Sequence, residues 1–409
     1  MKRIIFFIAG ENMKKLTKII CTVLSCMLML SSTLFLGACA PETPPILSTA
    51  TCTVKTGENG VDFVMDFALD RDVKVLQITD TQLQNWYGAR TPQRHEEVMS
   101  IFANGMAKDH EIRAWRYVRE AFDKVKPDII VATGDNIYGE LDDDGRMWLE
   151  FIEVMDSFKV PWLMVFGNHD NESAKGVTWQ IDQLKNSKYC IFKQGGLING
   201  NSNYNVLVTR RGAPQFLLYM MDTNGCHVVN TKTGEGLNVG NVDMRKLKAS
   251  AGFGNDQVDW MVNSSKKAFE KHGNVPTLLF QHIPLYEVRN AIVSKYEDTC
   301  ETLPFYPSEP GDIGVARAIA SGFASIQGFW KKLKEMNCKG VFFGHQHTIA
   351  TSIVYDGIRL TYGLKTSTYD SHASDMLGAT KITLNSQKSD IDVVYVHTSY
   401  DYETNRVFE

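Results

Sequence analysis

The stretch Ile129-Ile130-Val131-Ala132-Thr133-Gly134-Asp135-Asn136-Ile137-Tyr138 sets a carboxylate and an amide directly after an unbroken apolar run. A run without polar alternation is the mark of a strand covered on both faces, as in the parallel sheets of α/β proteins. The same grammar recurs four times. Residues 75–78 lead to Asp80-Thr81-Gln82, and residues 162–166 to Gly167-Asn168-His169-Asp170. Residues 277–280 lead to Gln281-His282, and residues 340–343 to Gly344-His345-Gln346-His347. Ligands in open α/β sheets gather outside the carboxyl ends of the strands. Five strands are therefore predicted to deliver Asp, Asn and His to one rim, and these oxygen and nitrogen donors suit a metal site.

The intervening residues support this order. Trp115, Val118, Phe122 and Val125 recur at spacings of three and four, which predicts a helix over 113–126. Pro127 stops it, because proline has no amide hydrogen to continue the ladder. A second helix over 147–158 and a strand over 160–166 complete a βαβαβ alternation, the pattern of a parallel sheet with right-handed crossovers. Further helices are expected over 257–271 and, from Ile319, Phe323, Ile326, Trp330 and Leu333, over 316–336. Beyond Gly344 the runs 351–355, 358–362, 379–384 and 391–397 are short and divided by turn residues. Asp356-Gly357 is a hairpin signal, so antiparallel β-structure is expected there. Residues 62–68 read as a first strand. Residues 84–112, 224–244 and 285–315 read as long loops that shape access to the rim.

The chain has 409 residues and a net charge of -4, with no long basic block. No electrostatic footprint argues for a nucleic-acid partner. Lys14, Lys15 and Lys18 precede an apolar stretch over 19–36 that closes in Leu36-Gly37-Ala38-Cys39. This is the layout of a secretory signal, and its end resembles a bacterial lipobox. The resemblance implies cleavage before Cys39 and lipidation of its sulfur, which would place the protein outside the cytoplasm as a membrane-tethered lipoprotein. An uncleaved anchor is the competing reading, since about 18 apolar residues can span a bilayer. Serines and threonines within the stretch, and small residues before the cysteine, favour cleavage. On this reading residues 1–39 are a signal, residues 40–60 a tether rich in Pro, Thr and Ser, and residues 61–409 the folded domain. Cys52, Cys190, Cys226, Cys300 and Cys338 then remain. An odd number cannot pair fully within one chain, and most are expected to pack as small apolar residues.

Two cations held a few ångströms apart repel each other, and a shared carboxylate offsets that repulsion. Such a pair can bind phosphate oxygens, activate water and stabilise in-line attack at phosphorus. The leaving alkoxide then needs a proton donor, and His169 stands beside Asn168 for that task. The ordered set of five motifs resembles the calcineurin-like metallophosphoesterase family, including its purple acid phosphatase branch, over about residues 73–366. The resemblance implies a four-layer α/β/β/α sandwich with mixed sheets and a dinuclear centre of Fe, Mn or Zn. It implies Asp80 and His347 as ligands of one metal, Asn168, His282 and His345 as ligands of the other, and Asp135 as the bridge. His169 would be the general acid or orient the phosphate, with Asp170 orienting His169. Asn136 is a candidate substrate contact, with shaping the turn as its competing role. One position departs from the family's Asp-x-His: residue 82 is Gln, whose amide oxygen is a weak neutral donor. Tyr138 follows Asp135 by three residues, as in the purple acid phosphatase form, where the tyrosine binds a ferric ion. Either Tyr138 ligates iron or Gln82 completes the first site.

The expected function is hydrolysis of phosphate esters, monoester or diester, by metal-activated water. The alternative is a non-catalytic metal- or phosphate-binding lipoprotein, which the loss of a histidine at Gln82 motivates. No Gly-x-Ser-x-Gly elbow, Walker loop or Rossmann fingerprint occurs.

Overall fold

The apolar runs become strands in a computed structural model that describes residues 45–84, 106–139, 142, 144–173, 175–225, 252–297, 302–319, 324–368 and 372–399. Cys39 and the leader lie outside these residues. In chain order the strands are β1 (Leu47–Ser48), β2 (Cys52–Thr56), β3 (Phe63–Phe67), β4 (Val73–Ile78), β5 (Ile129–Thr133) and β6 (Trp162–Val165). They continue as β7 (Tyr204–Arg210), β8 (Ala213–Met220), β9 (Thr277–Phe280), β10 (Ile313–Ala316) and β11 (Cys338–Phe343). The last are β12 (Ile349–Tyr355), β13 (Ile358–Tyr362), β14 (Gly378–Asn385) and β15 (Asp390–His397). One sheet has the order β15-β14-β4-β5-β6, the other β1-β2-β3-β7-β8-β9-β11-β13-β12-β10. The expected parallel core is present: Val75 faces Ile129 and Ile130 faces Trp162. In the larger sheet β8, β9, β11 and β13 are also mutually parallel.

Side chains alternate across each strand, and this builds four layers. Val75, Val131 and Leu163 of the smaller sheet meet Phe216, Leu218, Phe280 and Phe342 of the larger one between the sheets. The alternate residues Leu76, Ile130 and Met164 face outward onto the helices α1 (Met106–Val125), α2 (Arg146–Ser157) and α3 (Gly176–Leu184). On the far side Leu217, Leu279, Val341 and Phe343 pack toward α4 (Asn255–His272), α5 (Glu287–Tyr296) and α6 (Phe329–Glu335). This is the α/β/β/α sandwich with mixed sheets that the motif order implied.

Four readings of the sequence are corrected. Residues 45–60 are not a tether. Cys52 and Val54 point into the core, and Val54 pairs with Met65 in an antiparallel ladder, so the Pro, Thr and Ser content hid a period-two strand. The strand near residue 62 is thus the third, and β7 has no counterpart in the sequence reading. Residues 316–336 are not one helix. β10 ends at Ala316, Gly328 adopts φ 78, and among the described residues of this stretch only Phe329–Glu335 is helical. Ile319, assigned to the buried stripe, is exposed. The stretch 285–315 is not all loop, because Val288, Ala291 and Ile292 bury one face of α5. The hairpin at Asp356-Gly357 forms as expected, with φ of 49 and 82, the paired left-handed residues of a tight turn. β14 and β15, however, leave the larger sheet and extend the smaller one beside β4. Cys52, Cys190 and Cys338 are free, and burial pushes the thiols of Cys52 and Cys338 up to about 12, leaving them poor nucleophiles.

Phe280 and Phe342 stack at 5.0 Å between the two sheets. Phe342→Ala is expected to lower stability by about 3–5 kcal/mol, read as a lower denaturation midpoint with an unchanged slope.

Candidate metal centre

The five motifs meet where the carboxyl ends of the two sheets converge. β4, β5 and β6 carry Asp80, Asp135 and Asn168, while β9 and β11 carry His282 and His345. Asp135 is the hub. Its Oδ1 accepts the backbone amide of His169 at 2.8 Å, and its Oδ2 lies 3.2 Å from His282 Nε2. His282 Nδ1 lies 2.9 Å from the Thr133 carbonyl, which can only accept. That contact puts the proton on Nδ1 and leaves Nε2 as the donor atom toward the centre, 3.2 Å from Asn168 Oδ1. Asp80 accepts from Thr79 Oγ1 at 2.7 Å and from the His345 amide at 3.0 Å, and its Oδ1 is 3.3 Å from His347 Nε2. Two sets of ligand atoms result, Asp135-His282-His345 and Asp80-Asp135-His347, each lying within 4.8 Å of one another. Asp135 belongs to both, which is the geometry of a bridging carboxylate.

The glycines of the motifs make this closeness possible. A Cβ on Gly344 would lie 1.9 Å from Thr79 Oγ1 and 2.4 Å from Asp80 Oδ2. A Cβ on Gly167 would lie 2.2 Å from Asp135 Oδ1. Asp80, Gln82, Asp135 and His345 all take left-handed backbone, at φ of 52, 42, 49 and 72. Non-glycine residues pay for that conformation in strain, and the surrounding ladder holds it.

Burial raises the pKa of Asp80 and Asp135, but the imidazoles of His347 and His282 outweigh it and hold both well below the usual carboxylate range. Burial lowers His282, yet the Asp135 carboxylate beside it lifts the ring to about 9. His345 is pushed down to about 4 by burial and by His282. Among the described contacts no Lys or Arg reaches either carboxylate. Two buried anions compensated by imidazole alone fit a cation pair, because unpaired buried charge is costly.

One assignment beside the centre is corrected. Asp170 does not touch the His169 ring. Its carboxylate accepts from the Gly167 and Ile137 amides and from Asn136 Nδ2, and burial next to Asp135 raises it to about 7. Glu172 lies 2.7 Å from His169 Nδ1 instead. The His-Asp-Asn-Glu order winds into one short turn over Asp170–Glu172 and brings position i+3 back to the ring. That i, i+3 spacing is readable in the sequence. Asn136 is buried, and its amide is committed to Asp170 and to the Val165 carbonyl at 3.4 Å. These contacts fit the role of shaping the turn. Gln82 Oε1 accepts from Lys365 Nζ at 2.6 Å, so its best donor atom is already engaged. Tyr138 stacks on His169 with ring centroids 4.2 Å apart.

The fold and the shared carboxylate define a two-metal site of the phosphoesterase kind. The family model described as calcineurin-like phosphoesterase matches residues 73–348, and the chain belongs to that family. Two curated relatives from Arabidopsis thaliana are similar to it. Probable inactive purple acid phosphatase 28 is 23% identical over 303 residues, covering 73% of this chain and 71% of its own. Probable inactive purple acid phosphatase 29 is 24% identical over 310 residues, covering 73% and 72%. A solved dimetal phosphatase from Danio rerio aligns with a TM-score of 0.43 at 14% identity, covering 77% of this chain and 93% of its own.

Gly344→Ala drives a methyl group against the Asp80 carboxylate. The variant is expected to keep its circular dichroism spectrum but lose at least one of two bound ions, counted by mass spectrometry of the metal.

Proposed function

We propose that the protein hydrolyses phosphate esters at a dinuclear metal centre held by Asp80, Asp135, Asn168, His282, His345 and His347. The observation that carries the reading is the Asp135 carboxylate, shared by two ligand sets each spanning no more than 4.8 Å. Metal ions bound there supply phosphate binding and a water of lowered pKa. The donor set of carboxylate, amide and imidazole fits Mn, Zn or Fe. Tyr138 is assigned to packing on His169, and with Gln82 engaged by Lys365, neither completes the first metal site. A colourless loaded protein is the corresponding expectation.

The chain's own residues account for the proton. The His169 amide is anchored on Asp135, so its ring rides on the bridging group. Glu172 accepts the Nδ1 hydrogen and stabilises the imidazolium, which leaves Nε2–H to protonate the leaving alkoxide. Tyr138 closes one face of the ring and limits its rotation. The His169 side chain keeps 14% of its surface exposed, whereas that of Glu172 keeps 2%, so the acid meets substrate and its partner stays dry.

The test is hydrolysis of p-nitrophenyl phosphate and bis(p-nitrophenyl) phosphate by the metal-loaded chain, before and after chelation. Activity should vanish with chelator and return with metal. His169→Ala should lower turnover about 100-fold or more at unchanged metal content, and Glu172→Gln should lower it about tenfold. Asp135→Asn should lose both ions. Two retained ions with no hydrolysis of either ester would establish the binding-protein reading, which the names of the plant relatives favour.

We further propose that the chain is exported and held at the membrane by lipid on Cys39. The leader over 14–39 supports this, and with β2 in the sheet the tether shortens to the residues before Leu47. In a bacterial host, labelled palmitate should enter the wild type and not Cys39→Ser. Equal labelling of both would overturn the assignment.

A further inference from the structure

Lys365 is buried, with 3% of its surface exposed. It follows β13, in a segment that clamps the loop bearing Asp80. The Thr366 amide donates to the Thr79 carbonyl at 3.0 Å, and the Thr79 amide donates to Thr366 Oγ1 at 3.1 Å. Ser367 Oγ donates to the Asp80 carbonyl at 3.2 Å. Lys365 Nζ donates to that same carbonyl at 3.1 Å and to Gln82 Oε1 at 2.6 Å. The backbone of Lys365 is fixed in turn by a bridge to Leu377 and by the Gly378 amide at 3.0 Å. The ammonium is therefore held in place behind the Asp80 half of the centre.

We propose that Lys365 makes the two metal positions unequal: its ammonium takes the Gln82 oxygen and weakens the position formed by Asp80, Asp135 and His347. The inference rests on the dinuclear reading given above. A lysine head has only donors, so it orients the Gln82 amide with its oxygen toward nitrogen rather than toward an ion. The ammonium contacts the peptide of Asp80 and not its carboxylate, whose partners are Thr79, His345 and His347. It therefore leaves the Asp80 carboxylate in the ligand set and withdraws the Gln82 oxygen from it. Like charges a few ångströms apart in a dry interior repel far more than in water. The other half, with Asn168, His282 and His345, has no such cation among its described contacts. The expected result is one firmly held ion and one exchangeable ion.

The test uses the full chain, stripped of metal and titrated with Mn²⁺ alone by calorimetry. Wild type should bind two ions in separate steps, with constants about tenfold or more apart, and Asp80→Asn should abolish only the weaker step. Lys365→Met and Lys365→Gln should tighten the weaker step about tenfold and leave the stronger step within about twofold. Lys365→Arg, which keeps the charge, should preserve the inequality. Where neutral variants fail to fold, Gln82→Glu neutralises the ammonium in place with an isosteric side chain and should tighten the same step. A weaker step that stays where it was, or two steps that move together, would overturn the role of Lys365. Fewer than two Mn²⁺ ions in the wild type would instead defeat the dinuclear reading itself.

Discussion

Asp80 and Asp135 are two carboxylates buried in one ligand cluster, and the rest of the rim is arranged around that constraint. Left alone, such a pair would take up a proton, since like charges sharing a dry site cannot both ionise. Imidazoles on three sides and amides from the His169 and His345 backbones keep both ionised. Hydrogen bonds from neutral groups orient these anions but do not neutralise them. The glycines, the left-handed turns and the carbonyl of Thr133 all serve to bring anionic and imidazole donors closer than ordinary loops allow. Among the described residues no lysine or arginine sits on these carboxylates, and such a store of negative charge suits cations from outside the chain.

Much of this was legible before any coordinates, and the reason is physical. The runs at 129–133, 162–166, 277–280 and 340–343 are apolar on both faces because helices cover one side and a second sheet the other. Their ends carry polar side chains because the rim faces water. The strand ends bring Asp80, Asp135, His282, His345 and His347 to one rim, while their division between two metals came from the resemblance. The four-layer arrangement followed from the resemblance rather than from periodicity, which is silent about how two sheets stack.

What stayed hidden depended on partners distant in sequence. Cys52–Thr56 is polar on one face and reads as linker until Phe63–Phe67 lies beside it. The stripe of Ile319, Ile326 and Trp330 has helical spacing, but Gly328 and the pairing of β10 with β12 override it. Lys365 lies 283 residues from Gln82, and no local pattern marks it as a neighbour. Glu172 is the opposite case. Its spacing from His169 is local, and the short turn over Asp170–Glu172 brings Glu172 to the ring while Asp170 faces the Gly167 and Ile137 amides.

The placement of β14 has a consequence for how the molecule is made. Thr380 to Leu384 pair with Gln77 to Val73, in the strand that leads to Asp80. The neighbour that converts β4 from an edge into an interior strand is thus made long after β4 itself. Lys365 and Thr366, which grip the Asp80 loop, also follow it at great distance along the chain. A nascent chain can complete β4, β5 and β6 and still lack a finished rim. Competence is withheld until β14 is made, so a product ended before it exposes a bare strand edge, a mark by which quality control can find and degrade it.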